Sequence, residues 1–352
     1  MAENILELRR VDKLFGDFVA VERIDLTVAE GEFFTIVGPS GSGKTTMIRM
    51  LVGMDGPTRG DILLRGERIN DVPANQRPTC MVFQSLALFP HKTVGENIEF
   101  PLKLRGVLPH DRRARALELL AQLHLPEAYY DRRIHQCSGG ERQRVALARA
   151  LAFDPEVLFF DEPLSALDYR LRKTLEKELK DIQRKTGKTF VYITHSIEEA
   201  MVMSDRIAIM RDGRLVQVGS PDEIYHRPRN GFVAQFMGEV NAFEVKQGDD
   251  GTVRDAATAA CYPRPDTVVT PAGDLMIVRP ERMRILAPGE TAEATLEGRV
   301  TNQYVLGPRT QYQVQAGDRQ LLVEMLASGV DHAVNDQVRV GWSARDALLL
   351  SA

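Results

Sequence analysis

A chain of 352 residues is longer than one hydrophobic core ordinarily organises, so two domains are expected. Hydrophobic residues make up 43% and charged residues 27%, which excludes wholesale disorder. The formal net charge of −4 removes the overall basic bias of a nucleic-acid-coating protein, and three scattered cysteines exclude a disulfide framework or a CxxC-type zinc site and fit a reducing compartment.

Residues 1–7 are acidic and lack the basic-then-apolar order of a secretory signal. No apolar run approaches the roughly 20 residues of a membrane-spanning helix. Work at a membrane would therefore go through partners.

In chain order, Phe33-Phe34-Thr35-Ile36-Val37 reads as a strand, followed at once by glycines and then by a helix over residues 45–52. Residues 80–83, 157–160 and 189–193 are further apolar runs of strand length. All are apolar on both faces, as in a sheet covered by helices on each side. Helical periods occupy residues 114–125 and, through Leu171, Leu175, Leu179 and Ile182, the stretch between the last two strands. After roughly Met237 the texture changes to short alternating segments (residues 310–315, 320–325 and 337–340) separated by Pro and Gly. That pattern predicts a small all-β barrel or sandwich. The expected division is 1–236, α/β, and 237–352, all-β.

Gly38-Pro39-Ser40-Gly41-Ser42-Gly43-Lys44-Thr45 fits the phosphate-binding pattern G-x-x-x-x-G-K-[ST] between a strand and a helix. Glycines let backbone amides and the helix N-terminus, which includes Thr46, face phosphate oxygens. Lys44 is placed to neutralise β- and γ-phosphate charge, and the Thr45 hydroxyl to ligate Mg²⁺. Downstream, the strand over residues 157–160 delivers Asp161 and Glu162 to its C-terminal end, where open α/β sheets bind ligands. Asp161 is the expected metal ligand. Glu162 is the expected group that polarises an attacking water.

Cys137-Ser138-Gly139-Gly140-Glu141-Arg142-Gln143-Arg144 then places a serine hydroxyl and free amides at a helix start, a second anion site in a chain that already has one. Here the sequence resembles the ATP-binding subunits of ABC transporters, whose signature is written LSGGQ. In that family two subunits pack head to tail, each signature loop capping the γ-phosphate on the other's P-loop. The resemblance implies an ATP and Mg²⁺ site built from Gly38, Pro39, Ser40, Gly41, Ser42, Gly43, Lys44, Thr45 and Thr46, with Ser138, Gly139 and Gly140 supplied across the dimer. Gln84 resembles the Q-loop glutamine, a metal and water sensor. Asp168, in Ser165-Ala166-Leu167-Asp168, resembles the D-loop aspartate. His195 resembles the switch histidine that acts with Glu162 and Gln84, and Phe15 the aromatic position that stacks on adenine, with Phe18 as runner-up.

The match departs from the pattern at Cys137 (usually Leu), Glu141 (usually Gln) and Ser196 (commonly Asp). Cys137 is expected as a packed, inert thiol, and Glu141 adds negative charge near the opposing nucleotide. A helical insert about residues 87–150 is expected to receive a permease coupling helix, with Leu86, Leu88, Phe89, Val94 and Ile98 as candidate groove residues.

Residues 221–225 and 232–238 are similar to the junction in importer subunits of the maltose, polyamine and ferric-iron types, which carry a C-terminal OB-like TOBE domain. Ile277-Val278-Arg279-Pro280-Glu281-Arg282 looks like one of its recurring segments, and residues 238–243 look most like the spermidine/putrescine branch. The fold implied is an α/β P-loop NTPase with a helical subdomain, followed by a small all-β TOBE domain. The function implied is the ATPase of an importer, acting as a dimer with two transmembrane permease subunits at the cytoplasmic face, and indirectly with an extracytoplasmic substrate-binding protein. Polyamine is the first cargo; ferric iron, opine, phosphonate and sugar stay open. An exporter subunit and a soluble ABC ATPase acting on nucleic acid or ribosomes are the alternatives. The first is disfavoured by the β domain, and the second by the acidic charge and the lack of a coiled coil or second cassette. The β domain itself is expected to be a structural extension of the dimer, since no ligand motif stands out in residues 238–352, with a regulatory ligand site, as in anion-sensing relatives, as the alternative.

Overall fold

The computed structural model describes residues 3–248, 251–270, 273–327 and 332–351, which divide into two units, Met1–Pro221 and Asp222–Ala352. Met1 and Ala2 of the acidic opening stretch lie outside the described residues.

The first unit begins with a long antiparallel hairpin, β1 (Asn4–Phe15) and β2 (Phe18–Ala29), closed at Gly16 and Asp17. β3 (Phe33–Val37) runs into α1 (Lys44–Leu51), and β4 (Arg59–Leu64), β5 (Glu67–Arg68) and β6 (Thr79–Val82) follow. α2 (Val94–Leu104), α3 (Pro109–Gln122) and α4 (Gly139–Ala152) form the helical insert. The remainder is β7 (Val157–Asp161), α5 (Tyr169–Thr186), β8 (Thr189–Ile193), α6 (Ile197–Met203), β9 (Arg206–Arg211) and β10 (Arg214–Gly219).

Local chemistry sets several of these limits. Thr93 and Glu96 form a capping box that starts α2, and Pro109 opens α3 at a position where its missing N–H costs nothing. Asp168 caps the first turn of α5 by accepting from the Leu171 amide, and Gly187 ends that helix in the left-handed region.

Two sheets result. One is antiparallel, in the order β2-β1-β4-β5, and the other is six-stranded, β10-β9-β3-β8-β7-β6. Within the second sheet β9, β3, β8, β7 and β6 run parallel and β10 is an antiparallel edge. Alternate residues of its central strands serve two separate cores. Phe33, Leu158, Phe160, Phe190 and Tyr192 face the core shared with the helical insert and α5. Phe34, Phe159, Val191 and Ile193 face the core shared with α1 and the antiparallel sheet. This is why the strands read as unbroken apolar runs.

The second unit starts with two short helices, α7 (Pro221–His226) and α8 (Gly231–Phe236). Ala234 of α8 packs with Leu275, Ile277 and Leu350 of the β domain, so these helices group with the strands and the dividing line falls ahead of residue 236. The strands are β11 (Asn241–Gln247), β12 (Thr252–Asp255), β13 (Cys261–Pro263), β14 (Thr267–Val268), β15 (Leu275–Val278), β16 (Arg284–Ile285), β17 (Ala294–Val305), β18 (Arg309–Ala316), β19 (Arg319–Leu326), β20 (Gln337–Trp342) and β21 (Ala347–Leu350). They form two sheets, β13-β12-β11-β15-β21-β14 and β16-β20-β17-β18-β19, antiparallel except where β14 joins β21. Phe243, Tyr262 and Trp342 lie at the centre of their common core, with ring centroids 5.2–5.8 Å apart. The three segments expected as strands after residue 300 are β18, β19 and β20.

Candidate nucleotide site

The strand order places the chemistry. β3, β8, β7 and β6 are parallel neighbours, and their C-terminal ends release, side by side, the loop from Gly38, then His195, then Asp161 and Glu162, then Gln84. Residues far apart in sequence thus meet along one edge of one sheet, the position where parallel sheets bind ligands.

The phosphate loop wraps a cavity of about 620 Å³ lined by Ser40, Gly41, Ser42, Gly43, Lys44, Thr45 and Thr46 together with Phe18, Ala20, Glu162 and His195. Gly43 has φ +99°, and a Cβ there would run into the Ala20 carbonyl, so only glycine lets the loop close against β2. The Lys44 ammonium is buried, donating to the Gly38 and Pro39 carbonyls at 2.7 and 2.9 Å. Burial lowers its pKa, opposed by the charges of Glu162 and Asp161. Asp161 is raised, by its own burial first and then by Glu162, with Lys44 pulling the other way. Two carboxylates and one ammonium therefore share a desolvated corner in which further positive charge is favoured.

Glu162 sits at φ +46°, a backbone state that L residues rarely adopt, pinned by its amide donating to the Ile193 carbonyl at 2.9 Å. Its Oε2 lies 3.1 Å from His195 Nδ1. The loop carrying His195 rests on a buried carboxylate. Glu199 accepts from the Tyr192 and Thr194 hydroxyls at 2.9 and 2.8 Å, and Thr194 Oγ1 accepts from the Ser196 amide at 2.9 Å. Gln84 donates to Ser165 Oγ at 3.1 Å, and Ser165 donates to the Glu162 carbonyl at 2.9 Å, which ties the segment after β6 to the one after β7. Arg149 of α4 donates to the Leu86 and Ala87 carbonyls and anchors that segment from the other side.

The remaining expected residues lie elsewhere. Ser138, Gly139 and Gly140 form the start of α4 and do not line this cavity, and the Asp168 side chain caps α5. Phe15 pairs with Phe18 across the hairpin, but only Phe18 lines the cavity. Phe15 is half exposed, with the Lys13 ammonium 5.0 Å from its ring centre. Glu141 is engaged locally: its carboxylate accepts from the Ser138 amide and the Tyr129 hydroxyl, each at 2.7 Å. Cys137 is buried, and desolvation raises its thiol pKa. Of the groove candidates, Val94 and Ile98 belong to the core, whereas Phe89 lines an apolar cavity with Phe83, Phe100, Leu104 and Phe153.

The ABC transporter family matches residues 21–165 and the TOBE domain family residues 276–350. A spermidine/putrescine import ATP-binding protein of Pseudomonas fluorescens is 43% identical over 96% of this chain and 93% of its own length. The chain belongs to the ATP-binding subunits of ABC transporters. A relative of the same description from Roseobacter denitrificans is 47% identical over 80% of this chain and 79% of its own. Among solved structures, a dimeric ATP-binding cassette in a post-hydrolysis state bound to ADP and Pi is 35% identical with a TM-score of 0.55. It covers 62% of this chain and 99% of that one. A cassette from Clostridium perfringens, part of an ABC transporter complex, is 28% identical with a TM-score of 0.58, covering 63% and 90%. As a member of this family the chain is an ATPase that binds ATP and couples its hydrolysis to transport. No helix among the described residues is long and apolar enough to cross a membrane.

Sequence reasoning left out Glu199, Arg149 and Tyr129 and gave Ser165 no role beyond its place in the segment ending at Asp168; these side chains hold the ATPase motifs in place. Ser196-x-x-Glu199 carries a capping-box pattern that marks a helix start after His195, but the Glu199 side chain turns inward to Tyr192 and Thr194 instead.

Proposed function

We propose that this subunit powers an importer of polyamines, spermidine or putrescine, from the cytoplasmic face of the cell membrane. It does so as a head-to-tail dimer bound to two permease subunits that receive cargo from an extracytoplasmic binding protein. The observation that carries the motor role is the alignment of Lys44, His195, Glu162 and Gln84 along one sheet edge. The cargo assignment rests on the relatives' described substrate at 43–47% identity.

In this reading the β- and γ-phosphates of ATP lie against the amides of residues 40–46, and Lys44 turns from its own loop carbonyls to the phosphate oxygens. Phe15 and Phe18, register partners at the end of the hairpin, offer ring faces to the adenine. Thr45, Gln84 and Asp161 fit Mg²⁺: all three offer hard oxygen donors, and Asp161 is held in a desolvated site beside a second carboxylate, where a cation is favoured. The ion would supply positive charge to the phosphate oxygens. Glu162 accepts the proton of the attacking water, and His195, 3.1 Å from Glu162, orients it and reaches the γ-phosphate. The partner's Ser138–Gly140 amides close the site from the opposite side, with Asp168 at the same seam. The apolar groove of Phe83, Phe89, Phe100, Leu104 and Phe153 receives a permease helix.

Glu162→Gln is expected to retain ATP binding and to lower turnover by ~10²–10⁴-fold, the range for loss of a general base. Turnover within a few-fold of the parent would remove Glu162 from that role. For the cargo, the transporter is reconstituted with its binding protein and ATPase stimulation is read with putrescine, spermidine, ferric iron and maltose. Stimulation by one of the last two and by neither polyamine would overturn the assignment.

A further inference from the structure

Glu162 and His195, which meet at 3.1 Å in the nucleotide site, stand on different loops, and both loops are tied to the same segment, residues 165–168. Glu162 is tied directly: its carbonyl accepts from Ser165 Oγ at 2.9 Å. The tie to His195 is longer. Arg172, in the opening turn of α5, donates from Nη2 to the Leu167 carbonyl at 3.0 Å, and its Nε lies 3.9 Å from Glu199 Oε1. Glu199 is 3% exposed, and its Oε2 accepts from the Tyr192 and Thr194 hydroxyls. Burial first, then the charge of Glu199, pushes the Tyr192 hydroxyl well above its ordinary range, so it stays a donor to that carboxylate. Thr194 in turn accepts from the Ser196 amide, so the chain on both sides of His195 is held from Glu199.

This path has one open joint. Arg172 Nε is buried without a hydrogen-bond partner, and Glu199 Oε1 accepts none among the described residues. An opposite-charge donor and acceptor thus face each other about 1 Å beyond ordinary hydrogen-bond length, where an unmade bond is costly. Beside the joint the starts of α5 and α6 are already bridged, because Lys173 reaches Glu176 at 3.1 Å and Glu198 at 2.9 Å. An apolar side chain of similar volume would fill the space of Glu199 with no charge to desolvate. What the carboxylate supplies instead is a fixed place for the His195 loop.

We propose that, given the hydrolytic roles of Glu162 and His195 set out above, Glu199 and Arg172 are the positioning residues that set His195 against Glu162, working from the segment that also holds Glu162. Closing the joint makes the guanidinium a strut between the Leu167 carbonyl and the Thr194 side. With either group removed, His195 keeps its place in the chain but is no longer fixed opposite Glu162.

The test measures kcat and KM for ATP in the reconstituted transporter carrying Glu199→Gln, Arg172→Met or both, each also combined with His195→Ala, with residual rates read under single-turnover conditions. Each single variant is expected to lower kcat about tenfold, less than the ~10²-fold that a 1 Å misplacement costs. KM should stay within about twofold, because nucleotide binding is untouched. The double variant should lose no more than the worse single one, since both act through one contact. Combined with His195→Ala, the same substitutions should leave the residual rate unchanged. Where Glu199→Gln fails to fold, Arg172→Met, at a side chain 30% exposed, decides alone. Parental kcat in Arg172→Met, additive losses in the double variant, or an equal loss on top of His195→Ala would overturn the positioning role alone. Parental kcat in His195→Ala itself would overturn the hydrolytic reading and the positioning role with it.

Discussion

Replacing Arg77 by methionine tests whether the phosphate-loop helix is anchored from its far end. Arg77 is 1% exposed and spends its guanidinium on main-chain carbonyls: Nη1 to Met50 at 2.9 Å and Leu51 at 2.8 Å, Nη2 to Ile69 at 2.7 Å, and Nε to Val72 at 2.8 Å. Met50 and Leu51 close α1, so a cation sits where the helix dipole favours one, one helix length from Lys44. In the variant the Met50 and Ile69 carbonyls keep the Gly53 and Val72 amides, whereas Leu51 and Val72 lose these bonds. The orphaned carbonyls, Leu51 buried and Val72 part-buried, cost about 1–3 kcal/mol for the first and less for the second, partly offset because no guanidinium remains to be desolvated, so a loss of about 2 kcal/mol is expected. Burial does push the Arg77 pKa down, which is the sign of that desolvation cost. Urea unfolding followed by far-UV circular dichroism reads the loss. The only tryptophan, Trp342, lies in the C-terminal unit, so its fluorescence transition serves as an internal reference. Arg77→Lys should recover part of the loss. A change below about 1 kcal/mol, or one confined to the Trp342 transition, would refute the anchoring argument.

Three further outcomes follow from the site. Hydrogen bonds from the Ser138 amide and then the Tyr129 hydroxyl hold the Glu141 pKa below its ordinary 4.5, so its contribution to stability is present above that value and fades as pH falls through the depressed one. The melting-temperature gap between the parent and Glu141→Gln should therefore be widest near neutrality and shrink below pH 4.5; a gap independent of pH would contradict this. Cys261 is exposed, Cys80 is partly buried and Cys137 is buried, so a thiol reagent should modify one cysteine per native chain rapidly and the others only on unfolding. Two rapid equivalents would count against the protection of Cys80, and three against the packing of Cys137 as well. Phe18→Ala should weaken ATP affinity by about tenfold, the scale of one stacked aromatic contact, and comparison with Phe15→Ala shows which ring carries the adenine. Equal affinity of both variants to the parent would place the base elsewhere.

How much was legible in the sequence depends on how local the cause was. The run from Phe33 to Thr45 contains its own strand, glycines and helix start, so the phosphate site could be read without a fold. Asp161 and Glu162 were legible because a buried strand advertises its C-terminal end. The antiparallel sheet from β1, β2, β4 and β5 was not read, because its strands bury one face irregularly through several register shifts and leave charged residues between. Nor were the inward turn of Glu199 and the open donor of Arg172. Both depend on which element lies beside which, and Arg172 reads in sequence only as a charged residue beside Leu171 in a helix.

The departures from the family signature fall on the same line between local and distant causes. Ser196 stands where an aspartate is common, yet either side chain can accept from the amide three residues on, here Glu199 at 3.3 Å, and so begin α6. Glu141 was expected to bring negative charge toward an opposing nucleotide. Within the chain its carboxylate closes a capping box with Ser138 and is held by Tyr129, at the positive end of its own helix. That arrangement leaves Ser138 with its oxygen accepting the Glu141 amide at 3.3 Å and its side chain helping to hold the Glu141 carboxylate ionised. A glutamine at this position would keep the acceptor but lose the charge. The exchange therefore changes how firmly the signature loop is pinned.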